Sequence, residues 1–237
     1  MPYLNSLASK YGLVTQYYAN THPSIGNYFM MTTGQIITNN SGYSSTVTAD
    51  NLVRRFLTAG KTWKSYAESL PRVGYTGADV YPYVKRHNPF AYFSDVANSS
   101  NQRNYLVPFS QFSTDMKNNQ LPHFSFIIPN QKNNAHDGTL NQADIWLKTN
   151  IAPLIANPNF TQNGLLIILF DEAATSDSTR GGGRVAALIL SPKGKKPYKS
   201  TTIYQHQSTL RLILQGLGIT SFPGAAASAP KMTEFFF

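Results

Sequence analysis

The 237-residue sequence contains no cysteine, which excludes disulfide bonds, cysteine-ligated zinc and a thiol nucleophile. Acidic residues are also scarce, with 11 Asp and Glu against 20 Lys and Arg, so the formal net charge is +9. Long apolar runs are missing too. The longest, LLIILF (165–170) and VAALIL (185–190), fall far short of the roughly 20 residues that span a bilayer. The sequence therefore predicts no transmembrane segment.

The basic balance favours an anionic partner. The basic residues are nevertheless scattered, and the densest run, SPKGKKPYKS (191–200), contains Pro and Gly and has the composition of a solvated loop. Nucleic-acid-binding proteins usually carry a basic stripe with interleaved aromatic residues, and no such stripe is present. A small anionic substrate is therefore expected, and a nucleic-acid partner is not.

The remaining composition is that of one globular domain covering residues 1–237. Hydrophobic residues make up 41% of the chain, and 14 Tyr and 14 Phe supply bulky packing groups. Helical spacing and end signals predict helices, and short continuous apolar runs predict strands. The predicted helices are 4–12, 24–34, 46–60, 62–70, 110–118, 140–155 and 204–218; the predicted strands are 13–18, 123–129 and 164–172; residues 71–107 are predicted to be a long loop.

Strands and helices alternate, and the strands are apolar on both faces. This pattern indicates a mostly parallel central sheet covered by helices on both sides, which is an α/β three-layer sandwich. In such sheets, ligands bind beyond the carboxyl ends of the strands. We therefore expect the chemistry of this protein in the loops that follow residues 18, 128 and 170.

Those three loops contain rare residue types. His22 and Ser24 follow the first strand, His136 and Asp137 the second, and Asp171 and Glu172 the third. The last pair could simply end a strand and cap a turn, but two adjacent carboxylates at a sheet edge are costly unless they are solvated or hold a cation. Hard divalent ions prefer carboxylate oxygens, which favours a metal site at the third loop.

The other histidines each allow a structural interpretation beside a functional one. The His136-Asp137 pair could be an ordinary polar loop, or a phosphate-facing imidazole with a carboxylate that orients it or binds metal. His206, near the start of a helix, could be a surface residue. His87, in KRHNPF, could be a structural loop residue, and it is taken with His22 as a candidate substrate contact. His123 is assigned a structural role.

Ser24 is the candidate nucleophile. It could act only as the N-cap of the helix that follows. A helix N-terminus, however, presents free N–H groups and the positive end of the dipole, which suits phosphate. A serine there can attack phosphorus, and Asn27 one turn later could donate its amide to a phosphoryl oxygen. The GxSxG, Walker A and GxGxxG patterns are absent, and the glycine run GGGR (181–184) precedes a strand, not a helix.

Several segments together resemble the phosphoesterase family, which contains bacterial acid phosphatases and phosphatidylcholine-type phospholipases C within the alkaline phosphatase superfamily. The resemblance runs nearly from end to end. Its motifs are YANTHPSIGNYFMMTTG (18–34), KTWKSYAESLP (61–71), YVKRHNPFAYF (83–93), LPHFSFIIPN (121–130) with HDG (136–138), LIILFDE (166–172), YQHQSTLRLILQGLG (204–218) and APKMTEFF (229–236).

The resemblance implies an alkaline-phosphatase-like fold and metal-dependent hydrolysis of phosphate esters through a phosphoserine. It assigns Ser24 as the nucleophile, with Asn27 as a phosphate contact. Asp171 and Glu172 become metal ligands, His136 and Asp137 take a phosphate-binding or metal role, and His206 matches a late metal ligand. The cofactor is therefore expected to be a divalent metal ion, whose identity the oxygen ligands leave open.

The sequence also departs from the family pattern. Family members carry an N-terminal strand with a Glu-Asn pair that supplies metal ligands, and here the chain begins at Met1-Pro2. We therefore expect the chain to lack that strand and to leave main-chain groups of a sheet unpaired. A full-length precursor would be expected to be secreted or periplasmic. The alternative to an enzyme is an inactive family member that binds phosphorylated or anionic ligands.

Overall fold

The structure is a computed structural model that describes all residues from 1 to 237. It contains nine α-helices and seven β-strands, together with short 3₁₀ turns. The strands are β1 (Gly12–Tyr17), β2 (Trp63–Ala67), β3 (Leu106–Pro108), β4 (Phe124–Ile128), β5 (Leu166–Leu169), β6 (Ala187–Leu190) and β7 (Tyr198–Tyr204). The helices are α1 (Pro2–Lys10), α2 (Ser24–Thr33), α3 (Leu52–Thr58), α4 (Ser94–Ala97), α5 (Ser100–Arg103), α6 (Ser110–Lys117), α7 (Leu140–Ile155), α8 (Pro158–Asn163) and α9 (His206–Gly216).

The helix ends follow local signals in the sequence. The side chain of Thr139 caps α7 by accepting a hydrogen bond from the Gln142 N–H, and Asn51 caps α3 in the same way. Gly34 ends α2 in the left-handed conformation, with φ of 72°. Any other residue there would also collide with the Pro223 carbonyl, 2.4 Å from the position of a Cβ. These signals explain why several predicted helix boundaries are confirmed.

Three layers make up the molecule, as predicted. On one face of the strands, α1, α6, α7 and α8 bury a core that includes Leu4, Phe112 and Leu147. On the other face, α2, α3 and α9 bury a second core that includes Phe29 and Phe56. No helix combines the length and the apolar character that crossing a bilayer requires. The α/β three-layer architecture is therefore confirmed.

The prediction of a helix at 62–70 is wrong. Residues Trp63–Ala67 form β2, the middle strand of a three-stranded parallel sheet with the order β3-β2-β4. Apolar residues at 63, 66, 67 and 70 have helical spacing, which explains the error. Trp63 and Ala67 face one core and Tyr66 faces the other. The segment is a strand because this conformation buries apolar side chains on both faces of the sheet.

The strands form two sheets, whereas a single central sheet was predicted. The second sheet has the order β5-β6-β1-β7, with β1 parallel to β7 and β6 antiparallel to both of its neighbours. The edges of the two sheets, β4 and β5, line one cavity of about 530 Å³. The Phe124 N–H donates to the Thr62 carbonyl, and the Ile128 carbonyl accepts from the Glu68 N–H, so both residues turn their main-chain groups towards β2. Because alternate residues of a parallel strand bond opposite neighbours, the main-chain groups of Ser125 and Ile127 face this cavity. β4 and β5 are the end strands of their two sheets on this side.

Candidate active site

Ser24 is the first residue of α2, and it is nearly buried, with 6% of its surface exposed. The preceding residue, Pro23, has no side-chain acceptor, so no side chain caps the helix N-terminus. The free N–H groups of the first turn and the positive end of the ten-residue helix therefore lie beside the Ser24 hydroxyl. This arrangement is suited to hold a phosphoryl group next to an attacking oxygen.

The Glu172 carboxylate joins Ser24 to His22. Oγ of Ser24 donates a hydrogen bond to Oε1 of Glu172, and Nδ1 of His22 bonds the other carboxylate oxygen. Nε2 of His22 lies 3.0 Å from the carbonyl oxygen of Asp177, to which it donates. Burial lowers the pKa of His22, but the bonds to the Asp177 carbonyl and to Glu172 outweigh it and leave the pKa above its ordinary value. His22 and Glu172 therefore hold each other in place beside Ser24.

Asp171 is the second carboxylate at this site. Its Oδ2 atom is buried and has no hydrogen-bond partner. Burial raises the pKa of Asp171 to about 6, the nearby charge of Glu172 adds to the shift, and the neighbouring Ser24 hydroxyl opposes it. A buried carboxylate oxygen without a partner is costly, and a bound cation would satisfy it.

The donor set fits a hard divalent cation in part. Asp171, Glu172 and Ser24 offer oxygen atoms, and Mg²⁺ is commonly bound by one or two carboxylates together with water and substrate phosphate. No three His, Cys, Asp or Glu side chains are arranged so that together they could hold a metal ion. These residues can therefore supply two protein carboxylates to an ion, with the other ligands coming from elsewhere.

The structure gives Asn27 a different position from the predicted phosphate contact. Its side chain is fully buried, and its Oδ1 accepts hydrogen bonds from the N–H groups of Asn20 and Thr21, at 2.9 and 3.1 Å. Its Nδ2 donates to the Thr21 carbonyl at 2.8 Å. The Asn27 amide is thus used to shape the segment that leads from β1 to Ser24.

His206 likewise has both ring nitrogens engaged within the protein. Nε2 donates to the Asp171 carbonyl at 2.6 Å, and Nδ1 lies 3.1 Å from the Tyr17 hydroxyl, from which it accepts. The residue is fully buried, and burial lowers its pKa to about 4. A neutral imidazole with these partners holds the main chain of Asp171, and neither nitrogen is free to ligate a metal in this arrangement.

The remaining predicted residues form a second group. Nδ1 of His136 lies 2.6 Å from Oδ1 of Asp137, and both side chains are exposed. The ring of His87 is 6.3 Å from that of His136. His87 is only 3% exposed, its Nε2 is buried without a partner, and burial lowers its pKa to about 3. The structure therefore brings His87, His136 and Asp137 together.

Tyr28 connects the two groups, and sequence reasoning missed it. Its ring stacks on His87 with centroids 5.0 Å apart. Burial and the charges of Asp171 and Glu172 raise the pKa of its hydroxyl well above the ordinary value, and Tyr28 and Asp171 line the same cavity. Tyr28 follows Ser24 by four residues, so helical spacing puts the two on one face of α2, and that spacing could have identified it.

A carboxylate at the end of β2 holds the loop that carries His136. Glu68 accepts hydrogen bonds from the Asn130 N–H at 2.9 Å and from the Trp146 indole at 3.0 Å. Nδ2 of Asn133 contacts both oxygens of Glu68, at 2.9 and 3.0 Å. This carboxylate is satisfied by protein groups, so its role is to fix the loop after β4.

The loop after β5, which the sequence pointed to through Asp171 and Glu172, also contributes Asp177 and the glycine run, which were not assigned to the site. The Asp177 carboxylate accepts hydrogen bonds from the N–H groups of Thr179 and Arg184, both at 3.0 Å, which closes the loop on itself. Gly181 has φ of 109°, and a Cβ there would lie 2.0 Å from the Asn20 carbonyl. The glycine run thus allows this loop to pack directly against the segment before Ser24.

Comparison with solved structures identifies the fold. A protein of the alkaline phosphatase superfamily from Vibrio parahaemolyticus has a TM-score of 0.63 at 12% identity, covering 99% of this chain and 65% of that one. The lipoteichoic acid synthase LtaP of Listeria monocytogenes has a TM-score of 0.60 at 11% identity, covering 92% and 66%. The fold is that of the alkaline phosphatase superfamily.

Sequence comparison then gives the family. Residues 1–220 match the family described as the phosphoesterase family, and the chain belongs to it. A phosphatidylinositol-3-phosphatase of Mycobacterium tuberculosis is 32% identical, covering 99% of this chain and 75% of that protein. A probable acid phosphatase of Kluyveromyces lactis is 32% identical over 87% of this chain and 51% of that protein, so the chain spans about half the length of this relative. Family and relatives assign the chain to the phosphoric ester hydrolases.

Proposed function

We propose that this chain hydrolyses phosphate esters through a phosphoserine formed on Ser24. The observation that carries the proposal is the hydrogen bond from the Ser24 hydroxyl to Glu172 at the free N-terminus of α2. A serine hydroxyl is a weak nucleophile by itself, and an adjacent base activates it. The helix N–H groups beside it are aimed where negative charge develops on the phosphoryl oxygens.

The first half of the reaction transfers the phosphoryl group to the enzyme. Oγ of Ser24 attacks phosphorus, its proton passes to Glu172, and the bond between phosphorus and the leaving oxygen breaks with its electron pair on that oxygen. The leaving oxygen takes a proton from water. His22, which bonds the other oxygen of Glu172, keeps the carboxylate oriented during the proton transfer.

The second half returns the enzyme to its starting state. A water molecule attacks the phosphoserine, the bond between phosphorus and Oγ breaks, and inorganic phosphate leaves. Glu172 returns its proton to Ser24. We propose that Asp171 and Glu172 hold a divalent metal ion, which would supply positive charge against the phosphoryl oxygens. The unpartnered Oδ2 of Asp171 supports this part of the proposal.

The test is Ser24→Ala, assayed with p-nitrophenyl phosphate in the presence of divalent metal. We expect turnover to fall by at least about 10³-fold, because the attacking oxygen is removed. A matched control is Ser110→Ala, since Ser110 is also the first residue of a helix and carries no side-chain cap bond. Ser110→Ala should keep full activity, and equal activity of the two variants would contradict the assignment of the nucleophile.

Mass spectrometry of acid-quenched enzyme tests the intermediate directly. A phosphoryl adduct should map to the peptide that contains Ser24 and should be absent from Ser24→Ala. The alternative function, a family member that binds phosphorylated ligands without turnover, predicts calorimetric binding of inorganic phosphate with neither adduct nor product. Vesicles containing phosphatidylinositol 3-phosphate, assayed beside p-nitrophenyl phosphate, compare lipid and soluble substrates.

A further inference from the structure

Three consecutive side chains at the start of α9 contact the segments that carry the site. Gln205 donates from Nε2 to the Arg180 carbonyl at 3.1 Å and to the Ala19 carbonyl at 3.3 Å. One amide therefore bridges the loop after β5 and the segment after β1. Nε2 of Gln207 lies 3.4 Å from Oε1 of Gln205, which links the two glutamines.

Gln207 reaches the nucleophile segment through Asn20. Nδ2 of Asn20 donates to Oε1 of Gln207 at 2.9 Å, and Oδ1 of Asn20 accepts from the His206 N–H at 3.3 Å. The main-chain N–H of Asn20 in turn donates to Asn27 at 2.9 Å. Asn20 is thus fixed from α9 on one side and from α2 on the other, four residues before Ser24.

His206 reaches the carboxylate loop at the same time. Its Nε2 donates to the main-chain carbonyl of Asp171 at 2.6 Å, and the Tyr17 hydroxyl holds the opposite ring nitrogen. Oγ1 of Thr209 lies 2.6 Å from the Tyr17 hydroxyl, so the ring is set by a continuous buried chain of hydrogen bonds. The first turn of α9 therefore fixes both Asn20, which follows β1, and Asp171, which follows β5.

We infer that Gln205, His206 and Gln207 form a positioning triplet that sets the Ser24 segment relative to the Asp171-Glu172 pair. None of the three side chains contacts Ser24 or either carboxylate group, so they act through Asn20 and the Asp171 main chain. Positioning matters because a displacement of about 1 Å between reacting groups can cost roughly 100-fold in rate. The kinetic part of this inference rests on the proposed function.

The first experiment compares Gln207→Leu with Gln215→Leu. Both glutamines lie on α9 and are half-buried, but Oε1 of Gln215 has no hydrogen-bond partner. Gln207→Leu should lower kcat at least about 10-fold with little change in KM, because the nucleophile is misplaced while ground-state binding is kept. It should also speed hydrogen exchange of the Asn20 and Thr21 amides, measured by NMR. Gln215→Leu should change neither.

The second experiment compares His206→Gln with His206→Phe. Glutamine keeps an N–H donor for the Asp171 carbonyl, whereas phenylalanine keeps only the ring. We expect His206→Gln to retain most of kcat and His206→Phe to lose at least about 10-fold. Should His206→Phe not fold, the Gln207 comparison decides alone.

Identical kcat and amide exchange in Gln207→Leu and Gln215→Leu would overturn the inference. So would equal kcat in a folded His206→Phe and His206→Gln. If the wild-type chain turns over no phosphate ester, the proposed function fails, and the exchange of the Asn20 and Thr21 amides still decides whether the triplet positions the segment.

Discussion

Ser24 and Glu172 lie 148 residues apart in the chain and are joined by a hydrogen bond from the hydroxyl to the carboxylate. The bond forms because the carboxyl ends of β1 and β5 open at the same edge of the molecule, where α2 begins. The other oxygen of the carboxylate bonds His22. Glu172 is therefore placed to accept the proton of Ser24 in the proposed reaction.

Glu172→Gln should lower kcat by about 10²–10⁴-fold, which is the usual contribution of a general base. The amide keeps the shape of the side chain but cannot take the proton. Glu234→Gln serves as a control, because Glu234 accepts hydrogen bonds from Tyr198, Ser200 and Tyr204 away from the site. That variant should unfold at a lower temperature with kcat preserved; full activity of Glu172→Gln would exclude the proposed base.

Asp171→Asn should stabilise the metal-free protein at pH 8 and weaken its binding of Mg²⁺ or Mn²⁺. The folded pKa of Asp171, about 6, is above that of an unfolded chain, about 4. The ionised carboxylate therefore costs stability progressively as the pH rises from about 4 to 6, and asparagine avoids that cost.

Thermal unfolding in chelator should show the gain of Asp171→Asn at pH 8, and the gain should shrink towards pH 4. Asp137→Asn is the matched control, since that carboxylate is exposed beside His136. Calorimetric titration with the metal salts completes the comparison. Unchanged metal affinity in Asp171→Asn would show that the unpartnered oxygen is not a ligand.

His87→Gln should reduce the acid sensitivity of the fold. Burial lowers the folded pKa of His87 to about 3, whereas the unfolded side chain titrates near 6.5. Below about pH 6.5 the unfolded chain therefore binds one more proton than the folded protein, and stability falls by about 1.4 kcal/mol per pH unit. Glutamine should remove this contribution.

Urea unfolding at pH 7, 6 and 5 measures that slope for wild type and His87→Gln. His123→Gln is the control, because His123 is exposed and lies in the loop before β4. His123→Gln should keep the wild-type slope. An identical slope in all three proteins would mean that His87 is not buried as a neutral group.

Ser125→Lys should reduce self-association of the isolated chain. Unpaired strand edges are templates for pairing with other chains, and a lysine on an edge strand opposes it. Ser125 lies on β4 and lines the cavity between the two sheets. Thr220→Lys adds the same charge at an exposed position outside helix and strand. Light scattering should fall for Ser125→Lys alone, and an equal fall in both would assign the effect to net charge.

Local patterns in the sequence were sufficient for much of the fold. α7 occupies the predicted residues 140–155, with Thr139 as its cap, because a long amphipathic segment with clear end signals depends little on context. β2 was assigned to the wrong class, since its residues fit a helical period and only its neighbours β3 and β4 decide its state. β7 was not predicted at all; several of its residues are exposed, and its pairing partner, β1, is distant in sequence.

The candidate site, like the fold, could be predicted from the sequence only in part. Rare residue types at strand ends pointed to Ser24, Asp171 and Glu172, and the structure brings these three together. The sequence could not show that Asn27 bonds the main chain of Asn20 and Thr21, or that His206 bonds the Asp171 carbonyl and the Tyr17 hydroxyl. A side chain's type limits which bonds it can form, but its neighbours determine which of them it does form.

The sequence by itself determined the layered α/β class, the family and the strand ends where chemistry is concentrated, because these follow from local periodicity and from motifs contiguous in the chain. Only the tertiary structure decided that Tyr28 connects two groups of site residues and that the start of α9 holds Asn20 and Asp171. Those relationships join residues distant in sequence. They depend on which strand ends meet and which polar groups are left to pair there, and no local pattern records either.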